Sequence, residues 1–218
     1  MEDTDSAEGT VQVRVIIDGP YGGWQPLGAR EVEEVVCFAG GSGVSYLIGV
    51  AEEAKRVFAE QEERGGGKLR VVRLVWVTKD FGESVNLAVS TRRSSSRKTD
   101  FDSSFCSLPT ASFHSLIPLF TPVLSPSITI SLHLTQHDPR TPLPTSLPLY
   151  CTVHSLRPSL PLLLSTLLEE DDPLGGVEVL ACGPPALVAE AGNAVGAMGV
   201  RERVSMGGVE FSGEGFGL

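Results

Sequence analysis

The chain has 218 residues, 41% of them hydrophobic, enough for one ordinary domain with a sizeable core and an irregular insertion. A net charge of -10 and a pI near 4.9 exclude a nucleic-acid partner, because a phosphate backbone needs a basic footprint. No apolar stretch approaches the roughly 20 residues of a membrane helix, and the acidic start Met1-Glu2-Asp3-Thr4-Asp5 lacks the order of a signal peptide.

Residues 1–10 read as a disordered N-terminus. Val11 to Ile17 is β-branched and alternating, a strand that ends in the turn Asp18-Gly19-Pro20-Tyr21-Gly22. Val35 to Ala39 is a short apolar strand that runs into Gly40-Gly41-Ser42-Gly43. Leu47, Val50, Ala51, Ala54, Val57 and Phe58 then recur at helical spacing, with Glu52, Glu53, Lys55 and Arg56 opposite. Gly65-Gly66-Gly67 stops that helix. Leu69 to Thr78 is near-continuously apolar, as in a parallel strand buried on both faces. These elements make residues 11–88 the first ordered part.

Residues 89–112 are a Ser/Thr-rich insertion with no core-forming pattern. Over 113–135, Phe113 to Leu124 reads as a helix weakened by Pro118 and Pro122, and Ile128 to Leu134 as a strand of period two. Ten of the fifteen prolines fall between Pro109 and Pro161, so residues 136–152 read as a loosely packed Pro-rich loop. Order returns over 153–218. Leu160 to Leu168 is helical, Val177 to Ala181 is a strand, Pro185 to Met198 is an Ala-rich helix with Pro185 in its first turn, and Val209 to Phe211 is a last short strand. This alternation predicts an α/β domain with a doubly wound, mostly parallel sheet carrying Ser/Pro-rich insertions.

Four cysteines (37, 106, 151 and 182) lack CxxC spacing, and four histidines (114, 133, 137 and 154) lack metal-ligand spacing, so no metal site is expected. Two Gly-rich turns remain, each between a strand and a helix: Gly40 to Gly43 and Cys182-Gly183-Pro184-Pro185. Strand, tight turn and helix together expose backbone N–H groups where the helix dipole favours an anion. Two such turns point to a cleft for a dinucleotide-like ligand. Taken alone, the first is also compatible with a plain βα turn, and Cys182 with an inert buried thiol.

In chain order, several segments resemble the NADPH-binding lobe of the fungal ferric-chelate reductases, relatives of the NADPH oxidases within the ferredoxin-NADP reductase superfamily. Asp18 to Gly22 resembles that family's DGPYG turn, and Phe38 to Ser45 its AGGSGVS pyrophosphate loop. Leu74 to Asp80 is similar to its LVWVVRD strand, and Leu132 to Thr135 to a strand ending in Thr. Leu156-Arg157-Pro158 is similar to its GRP motif, Cys182 to Pro185 to CGPP, and Glu214 to Gly217 to the terminal E-x-F-G. The chain departs from the pattern at Leu156, which replaces Gly, at Lys79, where Arg is common, and at Leu218, where the family ends in an aromatic residue.

The resemblance implies NADPH as cofactor, with FAD in the parent protein. It places Gly40, Gly41, Ser42, Gly43 and Val44 at the pyrophosphate, Arg157 and Lys79 at the 2′-phosphate, and Thr135 at a strand end beside them. It places Cys182, Gly183 and Pro184 at the nicotinamide, with Cys182 steering hydride geometry, and Phe216 stacked on a flavin. Hydride transfer needs no side-chain acid or base. The implied partners are an FAD-binding barrel and a haem-bearing membrane domain, at the cytosolic face of a membrane. The activity expected of the complete protein is hydride transfer from NADPH to FAD and electron transfer onward to ferric iron. The competing expectation is a non-catalytic nucleotide-binding fragment, or a misspliced or truncated product without activity.

Overall fold

The structure, a computed structural model, describes residues 27, 31–79, 120–138, 140 and 147–215. The predicted strand at Val11 to Ile17, the turn at Asp18 to Gly22, the insertion 89–112, most of the helix expected over Phe113 to Leu124, and Phe216 lie outside these residues.

Six strands form one parallel sheet. They are β1 (Glu34–Gly40), β2 (Val71–Thr78), β3 (Ile128–Leu134), β4 (Cys151–His154), β5 (Val177–Gly183) and β6 (Val209–Gly215), in the order β4-β3-β2-β1-β5-β6. Every pairing between these strands is parallel, so the mostly parallel expectation becomes wholly parallel among the described residues. Helices cover both faces, as the doubly wound reading requires. They are α1 (Val44–Arg64), α2 (Leu160–Asp171), α3 (Pro185–Ala197) and the short α4 (Val200–Ser205).

Period-two alternation sorts β1 between two cores. Val35, Cys37 and Ala39 pack under α1 with Leu47, Val50, Ala51 and Ala54, and with Leu74, Trp76 and Leu132 of the neighbouring strands. Val36 and Phe38 face the other way, against Leu160, Leu164 and Leu168 of α2 and Leu187, Ala191 and Ala194 of α3. All seven residues of β1 and of β5 are buried, including the acidic residues Glu34 and Glu178, and the rest of each strand is apolar or glycine, as in a parallel sheet covered on both faces. Gly65 ends α1 in the left-handed conformation at φ +73°, and the Gly66 N–H donates to the Gln61 carbonyl at 2.9 Å.

The expected helix over Phe113 to Leu124 is described only at its end, where residues 121–123 turn. The Pro-rich loop 136–152 gives way to a strand earlier than expected, at Cys151. That strand extends the sheet beyond β3, with Ile130 aligned on Cys151 and His133 on His154.

Candidate functional site

A wholly parallel sheet sends every carboxyl end to one edge, and the expected site residues among those described lie there. Gly40 ends β1 and Gly41 to Val44 follow it, Lys79 follows β2, Thr135 β3 and Arg157 β4, while Cys182 and Gly183 end β5 and Pro184 follows. Strand order reverses at β1. The chain leaves β1 toward β2 on one side, and β5 returns on the other. Ligands of open α/β sheets bind in the crevice outside such a switch point, here flanked by the two glycine turns.

The turns touch. A Cβ on Gly43 would sit 2.6 Å from the Cys182 carbonyl oxygen, and one on Gly183 would sit 2.9 Å from the Gly40 nitrogen. A Cβ on Gly40 would sit 2.7 Å from Pro184 Cδ. Gly41 has open space around it but adopts φ +53°, which an L side chain disfavours. Gly43 and Gly183 are small because backbone meets backbone across the switch point, and Gly40 because the Pro184 ring and the Leu187 side chain pack against it.

Trp76 fixes the first turn. It is 2% exposed in the core under α1, as expected of a core residue, and its Nε1–H donates to the Gly41 carbonyl at 3.0 Å. That second role has no sequence signature, because the partner is a backbone atom 35 positions away. Ser42 is exposed, whereas the Val44 side chain is buried and its N–H turns inward to the carbonyls of Gly41 and Ser42. Val44 therefore packs the turn.

Three helices start at this edge, and α1, α2 and α3 all lack both a capping side-chain hydrogen bond and an acidic residue in the first turn. Helix starts of this kind leave N–H groups and dipole ends to be met by an anion.

Cys182 is 5% exposed, and burial, with the Glu214 carboxylate on the neighbouring strand, pushes its thiol up to about 11. Burial pushes Cys37 well above the ordinary thiol range, with the charge of Cys182 a smaller cause. Both stay protonated at neutral pH, so Cys182 is not a nucleophile.

Lys79 and Thr135 come together through the ends of β2 and β3. The Thr135 N–H donates to the Thr78 carbonyl at 2.8 Å, and the Gln136 N–H to the Lys79 carbonyl at 2.8 Å. Lys79 is exposed and Thr135 half-buried. Arg157 leaves the far strand β4, yet it is drawn across to α3, where its Nη2 donates to Glu190 Oε2 at 3.0 Å. Beneath it the His133 and His154 rings stack at 4.6 Å between centroids and 13° between planes. His133 is 6% exposed, and its Nε2 has no partner. Burial, then the His154 charge, push His133 down to about 4 against a backbone hydrogen bond at Leu156, so the ring is neutral.

The groove of 490 Å³ lined by Val200, Arg203, Val204, Gly207, Gly208 and Val209 opens around the start of β6, at the opposite edge of the sheet. Among the described residues no helix is long and apolar enough to cross a membrane, and no three His, Cys, Asp or Glu side chains group as metal ligands.

The crystal structure of Amycolatopsis cytochrome P450 reductase GcoB is similar at 17% identity and a TM-score of 0.43, over 88% of this chain and 41% of that one. The chain thus spans about two-fifths of that protein's length. No curated protein matches. The model of the ferric reductase NAD-binding domain matches residues 32–196, a span that begins just before β1, closes within α3 and takes in both glycine turns. The chain belongs to the ferric reductase NAD-binding domain family.

Proposed function

We propose that the chain is the NADPH lobe of a ferric-chelate-reductase-type flavoprotein, in which hydride passes to FAD and electrons onward to ferric iron. The observation that carries this reading is the contact of the two glycine turns at the switch point, beside the starts of α1 and α3, which no side chain caps. A nicotinamide bound here supplies the hydride. The chain's own residues bind and orient it. The backbone of Gly41, Ser42 and Gly43 faces the diphosphate, and Cys182, Gly183 and Pro184 bound the nicotinamide subsite. Arg157 and Lys79 offer the cations that a 2′-phosphate favours. Cys182 stays protonated and excludes water without entering the chemistry. Phe216 stacks on the flavin of the parent protein, in which this lobe and the FAD barrel lie at the cytosolic face of a membrane that holds the haem-bearing domain.

Isothermal titration of the full 218-residue chain with NADP⁺, alongside circular dichroism, tests the nucleotide site. Saturable one-to-one binding is expected. A chain with native α/β ellipticity that takes up neither NADP⁺ nor NAD⁺ overturns the reading.

A further inference from the structure

We infer that Glu190 is the residue that sets how strongly this site takes a 2′-phosphorylated nucleotide, by holding the Arg157 guanidinium on an internal carboxylate. The inference rests on the nucleotide reading above and deepens it. The carboxylate lies on the second turn of α3, five residues or about 7.5 Å of helix axis beyond Pro185. Its Oε2 accepts from Arg157 Nη2 at 3.0 Å, and its Oε1 accepts from the Leu160 N–H at 3.4 Å. One carboxylate thereby engages two groups that an incoming anion would use, the Arg157 Nη2 donor and a first-turn N–H of α2.

The arrangement is particular to this helix. No carboxylate of their own lies in the first turns of α1 and α3, and α2 receives one from another helix. Arg157 is 64% exposed and Glu190 31%, so the pair sits at the rim, where ion pairs exchange readily. A 2′-phosphate that engages Arg157 must either displace Glu190 from Nη2 or share the guanidinium with it, and in both cases lies beside its negative charge. A nucleotide with a plain 2′-hydroxyl does neither. Glu190 therefore lowers affinity for the phosphorylated nucleotide selectively, and acts through Arg157 as a positioning residue.

The test titrates NADP⁺ and NAD⁺ into the full chain as wild type, Glu190→Gln, Glu190→Ser, Arg157→Ala and the Arg157→Ala/Glu190→Gln double variant. Gln keeps an oxygen for the Leu160 N–H while removing the charge, and Ser is too short to reach Arg157. Either substitution is expected to tighten NADP⁺ about fivefold to tenfold, the net worth of one ordinary hydrogen bond at an exposed rim, with NAD⁺ moving less than twofold. The gain should shrink at high salt and fall below twofold in the Arg157→Ala background. A purely structural role for Glu190 would move both nucleotides together. If the folded Gln and Ser variants leave the NADP⁺/NAD⁺ ratio within twofold of wild type, the inference fails while the nucleotide site stands. If the wild type binds neither nucleotide, both fall.

Discussion

Gly43 and Cys182 approach so closely that a single methyl group decides whether the two turns can share a crevice. Gly43→Ala places a carbon 2.6 Å from the Cys182 carbonyl oxygen, a backbone atom that cannot swing away. The substitution is expected to cost about 1–3 kcal/mol, as overpacking does, and to abolish NADP⁺ binding by parting the turns. A urea melt and a titration read the two effects. Gly49, on the exposed side of α1 with open space around it, is the control. There Ala is expected to stabilise the chain by about 0.5–1 kcal/mol, the helical penalty of glycine, and to leave binding alone. Trp76→Phe removes the donor to the Gly41 carbonyl. The expected loss is about 1–3 kcal/mol, the hydrogen bond plus the missing ring volume, with NADP⁺ affinity falling severalfold as the turn loosens.

At the scale of elements, α2 is pinned to the sheet by Arg73 of β2. The guanidinium grips Asp171, the last residue of the helix, with Nε–Oδ2 at 2.8 Å and Nη2–Oδ1 at 2.7 Å. Beside them Glu34 opens β1 at 1% exposure, and neither of its oxygens finds a donor. Burial first, then the Asp171 charge, push its carboxyl up to about 8, so at neutral pH it carries a proton that it can share with Asp171. A carboxyl raised on folding stabilises the native state fully below its unfolded value of 4.5, and that contribution is lost as pH climbs through about 8. Glu34→Gln keeps the neutral shape. Relative to wild type it is expected to be close to neutral at pH 4.5 and more stable by about 1–3 kcal/mol at pH 9, as thermal melts would show.

The central elements were legible in the sequence. β1, β2, β3, β5 and the three longer helices follow from apolar runs and 3.6-residue periodicity, with ends shifted by no more than three residues. β4 was hidden because four residues are too few to show alternation, although Cys151 and Val153 do pack inward on the core under α1. β6 runs on to Gly215, past the expected end at Phe211, because ladder pairing to β5 overrides the weak strand propensity of Ser212-Gly213-Glu214-Gly215. α4, six residues with nothing buried, left no periodic stripe to find. Of the site, the glycine turns were readable from residue type. The Trp76, His133 and Glu190 contacts were not, since each joins residues far apart in sequence.

Across the whole molecule, two buried titrating groups sit at opposite edges of the sheet and act in opposite senses. Glu34, at the amino edge, makes stability fall as pH rises between about 4.5 and 8. His133, at the carboxyl edge, is pushed down from 6.5 to about 4, so the unfolded chain binds more protons across that interval and stability falls as pH drops through it. Their slopes oppose each other where the intervals overlap. Stability is therefore expected to be nearly level from about pH 5 to 6.5 and to decline toward pH 8. His133→Asn should flatten the acid limb and Glu34→Gln the alkaline one, each leaving the other in place. A wild-type melting temperature that climbs steadily from pH 5 to 8 would contradict this account.

Because Gly183 abuts Gly40 and Gly43 abuts Cys182, the two turns meet main chain against main chain. A dinucleotide bound in the proposed site would meet both turns already in contact, so little ordering of the protein would be left for binding to bring about.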